Sequence, residues 1–416
     1  MTENENTTYL TANETKYSKT RRGHKETKEA YIKRISNEKI IDFICWNKIN
    51  KGEFLEAGGS GVITKAELIE NNLTVVLKTV AISEETNSDN DEFIKEIKAF
   101  HNIGLVHSGI TNGENKGKTS LIGYENVIKF YGVSSFSQIA ISSDEKDLYL
   151  ILEYADLGNL RFYLSKNTIN WEQKVKIARQ ITCGLYFLHT NGILHRDLHT
   201  KNVVIQKDGD SVKAIITDFG VSKVLPRNSK SKQKLTGCVP FVDPKRLKDN
   251  NEAPDKSSDI YSLGVVMWEI TSNGRPPFAF NNCHLVSISL QIIKGKRETP
   301  INGTTNSYIE LYTNCWNGNS KLRPEIGQVY ELIYQEKIIS GEKCFSGTDI
   351  GQIPYKLESN KNNDEQISKK LLEMFDQLST EDLDIFATKD PDEMGRLVLD
   401  AAQKKKIANS EKNEHR

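Results

Sequence analysis

Apolar residues along this chain follow two different periods. From Glu53 to Leu68 and from Leu73 to Val80 they alternate with polar positions and include β-branched residues, the period of half-buried strands. Gly58-Gly59-Ser60-Gly61 and Asn71-Asn72 interrupt these runs as turns. A helix is expected from Asp91 to His101, capped by Asn90 or Asp91, and strands resume from Val127 to Val133 and from Leu148 to Glu153. Beyond Gly158 the spacing changes to three and four: Val175, Ala178, Ile181, Leu185 and Leu188 predict a helix from Trp171 to Thr190. The segment from Asp259 to Ser272 is apolar enough to read as a buried helix. Further helices fit His284 to Lys294, Ser307 to Trp316 and Pro324 to Lys337, the last with proline in its first turn. The pattern is α+β, a small strand-rich lobe with one helix followed by a larger helical lobe.

Three segments follow from the same reading. Residues 1–48 form a flank, rich at first in Thr, Asn, Glu and Lys and expected to be disordered. Ile32, Ile35, Ile40, Ile41 and Ile44 then suggest a short helix. Residues 49–339 form the folded domain, with a polar surface insertion at about 102–124. Residues 340–416 form a charged helical extension in which Ile367, Leu371, Leu372, Phe375 and Leu378 make one stripe. That stripe is expected to pack on the domain, to self-associate or to hold a partner helix.

Composition narrows the setting. Lys plus Arg and Asp plus Glu number 56 each, so no global charge points to nucleic acid or an anionic membrane. The 6 cysteines are scattered without a CxxC pair, which argues against a zinc site or disulfide framework and fits a reducing compartment. No apolar run approaches the roughly 18 residues that span a bilayer. A cytoplasmic protein with no membrane span is the expectation.

The candidate chemistry lies in His195-Arg196-Asp197-Leu198-His199-Thr200-Lys201-Asn202 and Asp218-Phe219-Gly220. An Asp, an Asn five residues on and a second Asp beyond a hairpin are what a two-magnesium phosphoryl-transfer site requires. Val203-Val204-Ile205 and Ala214-Ile215-Ile216 supply that hairpin, turning at Asp208-Gly209. Upstream, Lys78 ends an apolar strand and needs a carboxylate partner, for which Glu96 in the next helix is well placed. Gly58, Gly59, Ser60 and Gly61 would let backbone N–H groups approach phosphate oxygens.

These motifs stand in the order and spacing of the eukaryotic protein kinases, and Asp259-Ile260-Tyr261-Ser262-Leu263-Gly264, Gly274 to Phe278 and Cys315-Trp316 through Arg323-Pro324 extend the likeness. The chain from 49 to 339 resembles that family. The resemblance implies a bilobal kinase fold, ATP and Mg²⁺, and a protein substrate. Lys78 and Glu96 would aim the α- and β-phosphates, Asp197 would be the catalytic base, and Asn202 and Asp218 would hold the metal. Leu152 would be the gatekeeper, with the backbones of Glu153 and Ala155 on adenine and Arg196 facing a phosphorylated activation segment. Leu198-His199-Thr200-Lys201, Pro240-Phe241, Cys315-Trp316 and an activation segment with Ser222, Ser229, Ser231 and Thr236 but no Tyr resemble the tyrosine-kinase-like group, which is mostly Ser/Thr-directed.

Four residues depart from the family pattern. Glu56 stands for the first loop glycine, His199 and Cys238 for a Lys and Thr that meet at the catalytic Asp, and Lys245 for a Glu that pairs with Arg323. Asp243 or another acid is expected to take over Arg323. The same departures support the alternative reading, a pseudokinase that binds nucleotide or acts as a scaffold.

Overall fold

A computed structural model of the chain describes residues 34, 36–37, 41–58, 61–79, 92–107, 121–135, 148–219, 223–224, 238–249, 251–278, 285–340 and 345. The C-terminal stripe, Gly59, Ser60 and activation-segment positions Ser222, Ser229, Ser231 and Thr236 lie outside them.

The small lobe is an antiparallel sheet of β1 (Ile49–Gly58), β2 (Gly61–Leu68), β3 (Leu73–Thr79), β4 (Phe130–Ser135) and β5 (Leu148–Glu153), in the order β1-β2-β3-β5-β4. Period-two alternation assigns its two faces. Val75, Leu77, Tyr149 and Ile151 cluster with Ile49 and Ala66 on one, while Leu150 and Leu152 join the main core on the other. Lys78 pairs in register with Leu150, so its side chain shares the face of the main core. There it meets α1 (Glu92–His107), which turns Ile94, Ile97, Phe100 and Ile103 inward.

Two expectations fail here for physical reasons. The helix does not stop at His101: residues 102–107 continue it because Ile103 finds the core, leaving less chain for the insertion. Residues 41–45 are extended where helical turns are expected through Trp46. Ile44 N–H donates to the Val133 carbonyl and Val133 N–H to that of Asp42, each at 2.9 Å, so the open edge of β4 outcompetes the helical spacing. The chain re-enters the fold at Gly123 with φ +85°, and a Cβ there would run into the Cys183 carbonyl.

The large lobe begins with α2 (Leu160–Lys166) and α3 (Trp171–Thr190). Asn170 and Gln173 form a capping box at the start of α3, each side chain bonding the other's backbone N–H. The short β6 (Ile193–Leu194) pairs with β9 (Lys223–Val224), and the expected hairpin forms from β7 (Val203–Asp208) and β8 (Ser211–Ile216), but Asp208 pairs with Ser211 and the turn falls at Gly209-Asp210, one residue later than expected. After α4 (Pro244–Lys248) comes α5 (Lys256–Thr271), capped by Asp255 and buried on nearly every side. The helices α6 (Leu285–Ile293), α7 (Asn306–Cys315), α8 (Ile326–Ile333) and α9 (Glu336–Ser340) complete the lobe. Pro324 precedes the α8 cap, Glu325, and does not lie in the first turn. The Glu325–Gln328 box sets the start, and the single helix expected to Lys337 is broken at Tyr334-Gln335.

Close approach of α5 and α7 depends on Gly264. A Cβ at this position would sit 2.8 Å from Cys315 Cβ and 2.9 Å from the Tyr312 carbonyl oxygen. Gly264→Ala is therefore expected to destabilise the protein by about 1–3 kcal/mol through overpacking. Urea unfolding measures this, and an unchanged midpoint would contradict the packing described.

Candidate active site

The loop from His195 to Asn202 is held from below by one buried carboxylate. Asp259 Oδ2 accepts from His195 N at 2.9 Å, Asp259 Oδ1 accepts from Arg196 N at 2.7 Å, and His189 Nε2 lies 2.9 Å from Oδ2. Burial alone would raise the Asp259 carboxyl, but these donors hold it below its ordinary value. The loop passes through a left-handed residue at Arg196, φ 73°, and Asp218 has φ 69°, conformations that L-residues rarely adopt unless their surroundings fix them.

His195 is a packing and positioning residue. Its Nε2–H donates to the Thr217 carbonyl at 3.0 Å while Nδ1 accepts from Asp197 N at 3.3 Å. Burial lowers its pKa, and the neutral ring lies 5.4 Å from the ring of Phe219, which also packs edge-on against Phe100 of α1. Phe219 thus joins the loop to the small-lobe helix.

Above the loop, Lys78 Nζ lies 3.0 Å from both Glu96 oxygens and 3.0 Å from Asp218 Oδ1. Burial works against this ammonium, but the two carboxylates outweigh it and raise the Lys78 pKa. Burial also pushes the Glu96 carboxyl upward, against the pull of Lys78. With both oxygens on the ammonium, the ion pair is the state the geometry favours. Sheet, helix and Asp218 meet at one charge.

Asn202 Nδ2 donates to the Asp197 carbonyl at 2.9 Å and lies 3.4 Å from Asp197 Oδ2, which fixes the amide so that its oxygen accepts no bond among the described residues. That oxygen and the Asp218 carboxylate are hard donors. Two such donors suit Mg²⁺, which keeps waters and phosphate oxygens in its shell. Thr217 N bonds Asn202 O at 3.0 Å, tying the two donors' backbones together. The fit is good.

At the edge of β5, Glu153 N–H is already taken by the Lys129 carbonyl at 3.0 Å, whereas the Ala155 backbone makes no bond among the described residues. Ala155 can therefore offer its N–H to a planar heterocycle, and Glu153 has only its carbonyl to offer. Gly58 and Gly61 face each other across the β1–β2 turn, while Glu56 pairs with Ile63 and points to solvent.

The unusual residues find partners. His199 Nε2 lies 3.7 Å from Asp197 Oδ2, its ring edge-on to Phe241, and burial lowers its pKa to about 4, so it is neutral near pH 7. Arg323 grips Asp243 with both forks, Nη1 to Oδ2 at 2.7 Å and Nη2 to Oδ1 at 2.9 Å, both side chains fully buried. Lys245 Nζ bonds Asp255 at 2.6 Å and also stands 3.7 Å from Asp243 Oδ2. Asp243 has taken over Arg323, as expected.

Sequence reasoning did not identify Arg161, Glu269 and Thr200. Arg161 Nε donates to Glu269 Oε1 at 2.6 Å, and Thr200 Oγ donates to the same oxygen at 2.9 Å, anchoring the loop beside Asp197 to α5. The signal was present: a glutamate within an otherwise apolar buried helix requires a buried partner.

Residues 117–333 match the family model described as protein tyrosine and serine/threonine kinase. The human dual specificity testis-specific protein kinase 2 is 31% identical over 305 residues, covering 71% of this chain and 45% of that protein. A putative serine/threonine-protein kinase/receptor of Acanthamoeba polyphaga mimivirus is 27% identical over 299 residues, 70% of this chain and 16% of the viral protein. The fibroblast growth factor receptor homolog 1 of Drosophila melanogaster is 26% identical over 277 residues, 60% of this chain and 36% of the receptor. The matched segment spans less than half the length of each of these relatives.

The Asp243–Arg323 pair yields a stability prediction with a definite sign. Asp243→Ala strands a buried guanidinium and is expected to cost about 3–5 kcal/mol in denaturant unfolding. The Asp243 carboxyl is held below its ordinary 3.8, against burial, by Arg323. Its contribution is therefore full above that value and lost as pH falls through the lower folded-state value. The stability gap between wild type and Asp243→Asn should be constant near neutrality and close in acid. A gap that widened on acidification would contradict the pairing.

Proposed function

The chain belongs to the protein tyrosine and serine/threonine kinase family, and we propose that it transfers the γ-phosphoryl group of ATP, with Mg²⁺, to Ser or Thr hydroxyls of protein substrates. The observation that carries this reading is the joined set Lys78–Glu96–Asp218 above Asp197 and Asn202. Lys78, aimed by Glu96, would hold the α- and β-phosphates. Asp197 would accept a hydrogen bond from the substrate hydroxyl and orient it for in-line attack. Asn202 and Asp218 would hold Mg²⁺, which supplies charge neutralisation on the phosphates when bound. Gly58 to Gly61 would cover the phosphates, and Glu153 and Ala155 would meet adenine through their backbones. Catalysis on this reading is positioning and charge placement, with little covalent work for the protein.

The relatives whose names describe serine/threonine kinases support the Ser/Thr preference. Among the described residues no helix is long and apolar enough to cross a membrane, and we place the kinase in cytoplasmic signalling. We assign residues 49–339 to the kinase domain, and 340–416 to a helical extension that packs on that domain, self-associates or holds a partner. The pseudokinase alternative draws on Glu56, Cys238 and Lys245. Glu56 points to solvent and Lys245 has Asp255, so two of these three departures leave the catalytic set intact.

Incubation of the purified full chain with Mg-ATP and mapping of phosphosites by mass spectrometry tests the reading. Wild type should acquire phosphate on Ser or Thr, and Asp197→Asn should lose about 10²–10⁴ of the rate while still binding nucleotide. Equal incorporation by both proteins, or phosphate on Tyr alone, would overturn it.

A further inference from the structure

One surface of α3 and α8 carries three tyrosine rings in a ladder. The ring centroids of Tyr186 and Tyr330 lie 5.0 Å apart, and those of Tyr330 and Tyr334 again 5.0 Å. The Arg179 guanidinium closes one end, 4.6 Å from the centre of the Tyr334 ring, while its Nε donates to the Ile333 carbonyl at 3.0 Å. Beside the ladder, Tyr334 Oη lies 3.3 Å from Cys183 Sγ. Gly123, against the Cys183 carbonyl, brings Leu121 and Ile122 to the same turn of α3. Among the described residues this surface is uncovered: Leu121 is 54% exposed, Ile122 50% and Tyr334 46%. A single exposed apolar side chain is ordinary, but a contiguous row of them marks a contact surface.

The chain carries a fitting occupant in its own C-terminal extension, which leaves the domain from a fixed root. Trp171 Nε1, at the start of α3, donates to the Ile338 carbonyl at 2.9 Å, and Thr305 Oγ1 reaches the same oxygen at 3.5 Å. Next to it, Phe345 N–H donates to the Thr304 carbonyl at 2.9 Å and the Phe345 carbonyl accepts from Gly303 N–H at 3.0 Å. At a rise of about 1.5 Å per residue along α3, the surface from Arg179 to Tyr186 lies about 12–22 Å from Trp171. Residues 346–366 separate Phe345 from Ile367, and a tether of that length reaches about 25 Å on average. The stripe of Ile367, Leu371, Leu372, Phe375 and Leu378 follows. At helical rise it is about 16 Å long, which suits the ladder together with Leu121 and Ile122.

We propose that the tyrosine surface of α3 and α8 is the docking site of this chain's own segment 367–378, bound as an amphipathic helix with its apolar stripe on the rings. The proposal rests on the reading that the extension packs on the domain, and it names the surface. Tethering makes a weak contact sufficient. At an effective concentration of about 1 mM, a segment whose free Kd is about 100 μM covers the surface roughly nine-tenths of the time. Tyrosine suits such a cover, because each ring offers a large contact area with few torsions to freeze.

The test is photocrosslinking in the full chain, with Phe375→p-benzoylphenylalanine and mapping of the product by mass spectrometry on mixed light and heavy chains. The expected product is a crosslink within one chain to residues 121–122, 179–186 or 330–334. A crosslink within one chain to another part of the domain overturns this surface while leaving the extension packed on the domain. A crosslink between two chains overturns docking in cis and makes a second copy the occupant. No crosslink to the domain at all overturns both the surface and the packing it rests on. A second measurement reads the tyrosines themselves by hydroxyl-radical oxidation. Removal of a nine-tenths cover by Leu371→Asp with Phe375→Asp is expected to raise oxidation of Tyr330 and Tyr334 severalfold over wild type, on the order of the occupancy lost. Equal oxidation in the two proteins overturns the site. Neither readout depends on phosphoryl transfer.

Discussion

One ammonium, Lys78 Nζ, is shared by a carboxylate from the small-lobe helix and a carboxylate from the segment after the large-lobe hairpin. The fully buried Glu96 carboxylate would be unstable without it, and Lys78, itself buried, would lose its charge without its two partners. The sheet must therefore present β3 with Lys78 on the helix side, and α1 must turn Glu96 toward the sheet. Phe219, packed between His195 and Phe100, is the apolar counterpart of the same junction. Charge and packing enforce a single relation between strand, helix and loop.

Buried charge elsewhere in the large lobe is handled by exchange of partners. Asp243 binds Arg323 with both oxygens, and Lys245, 3.7 Å from Asp243, makes its shorter contact with Asp255 at the start of α5. Arg323 and Arg297 then lie over the ring of Tyr261, each 5.2 Å from its centroid. Glu269 similarly satisfies both Arg161 and Thr200, linking α2, α5 and the loop through one carboxylate.

Much of this was legible in the chain itself. Lys78, Glu96, Asp197, Asn202 and Asp218 are brought together, and helix α3 has the ends that its apolar spacing gave. Errors clustered where tertiary contact overrides local pattern. Ile41 and Ile44 have helical spacing, but the edge of β4 offers backbone bonds that a short helix cannot match. Residues 102–107 looked polar enough for a loop until Ile103 found the core. The left-handed residues Arg196 and Asp218 carry no sequence signal, since neither is glycine.

Gly123 has a consequence of another kind. Its backbone lies against the Cys183 carbonyl with no room for a side chain, so the point at which the chain returns after α1 is fixed by α3 and not by the residues that precede it. A side chain at position 123 would have to displace the α3 backbone at Cys183, so one residue outside that helix sets how closely the chain can pass it.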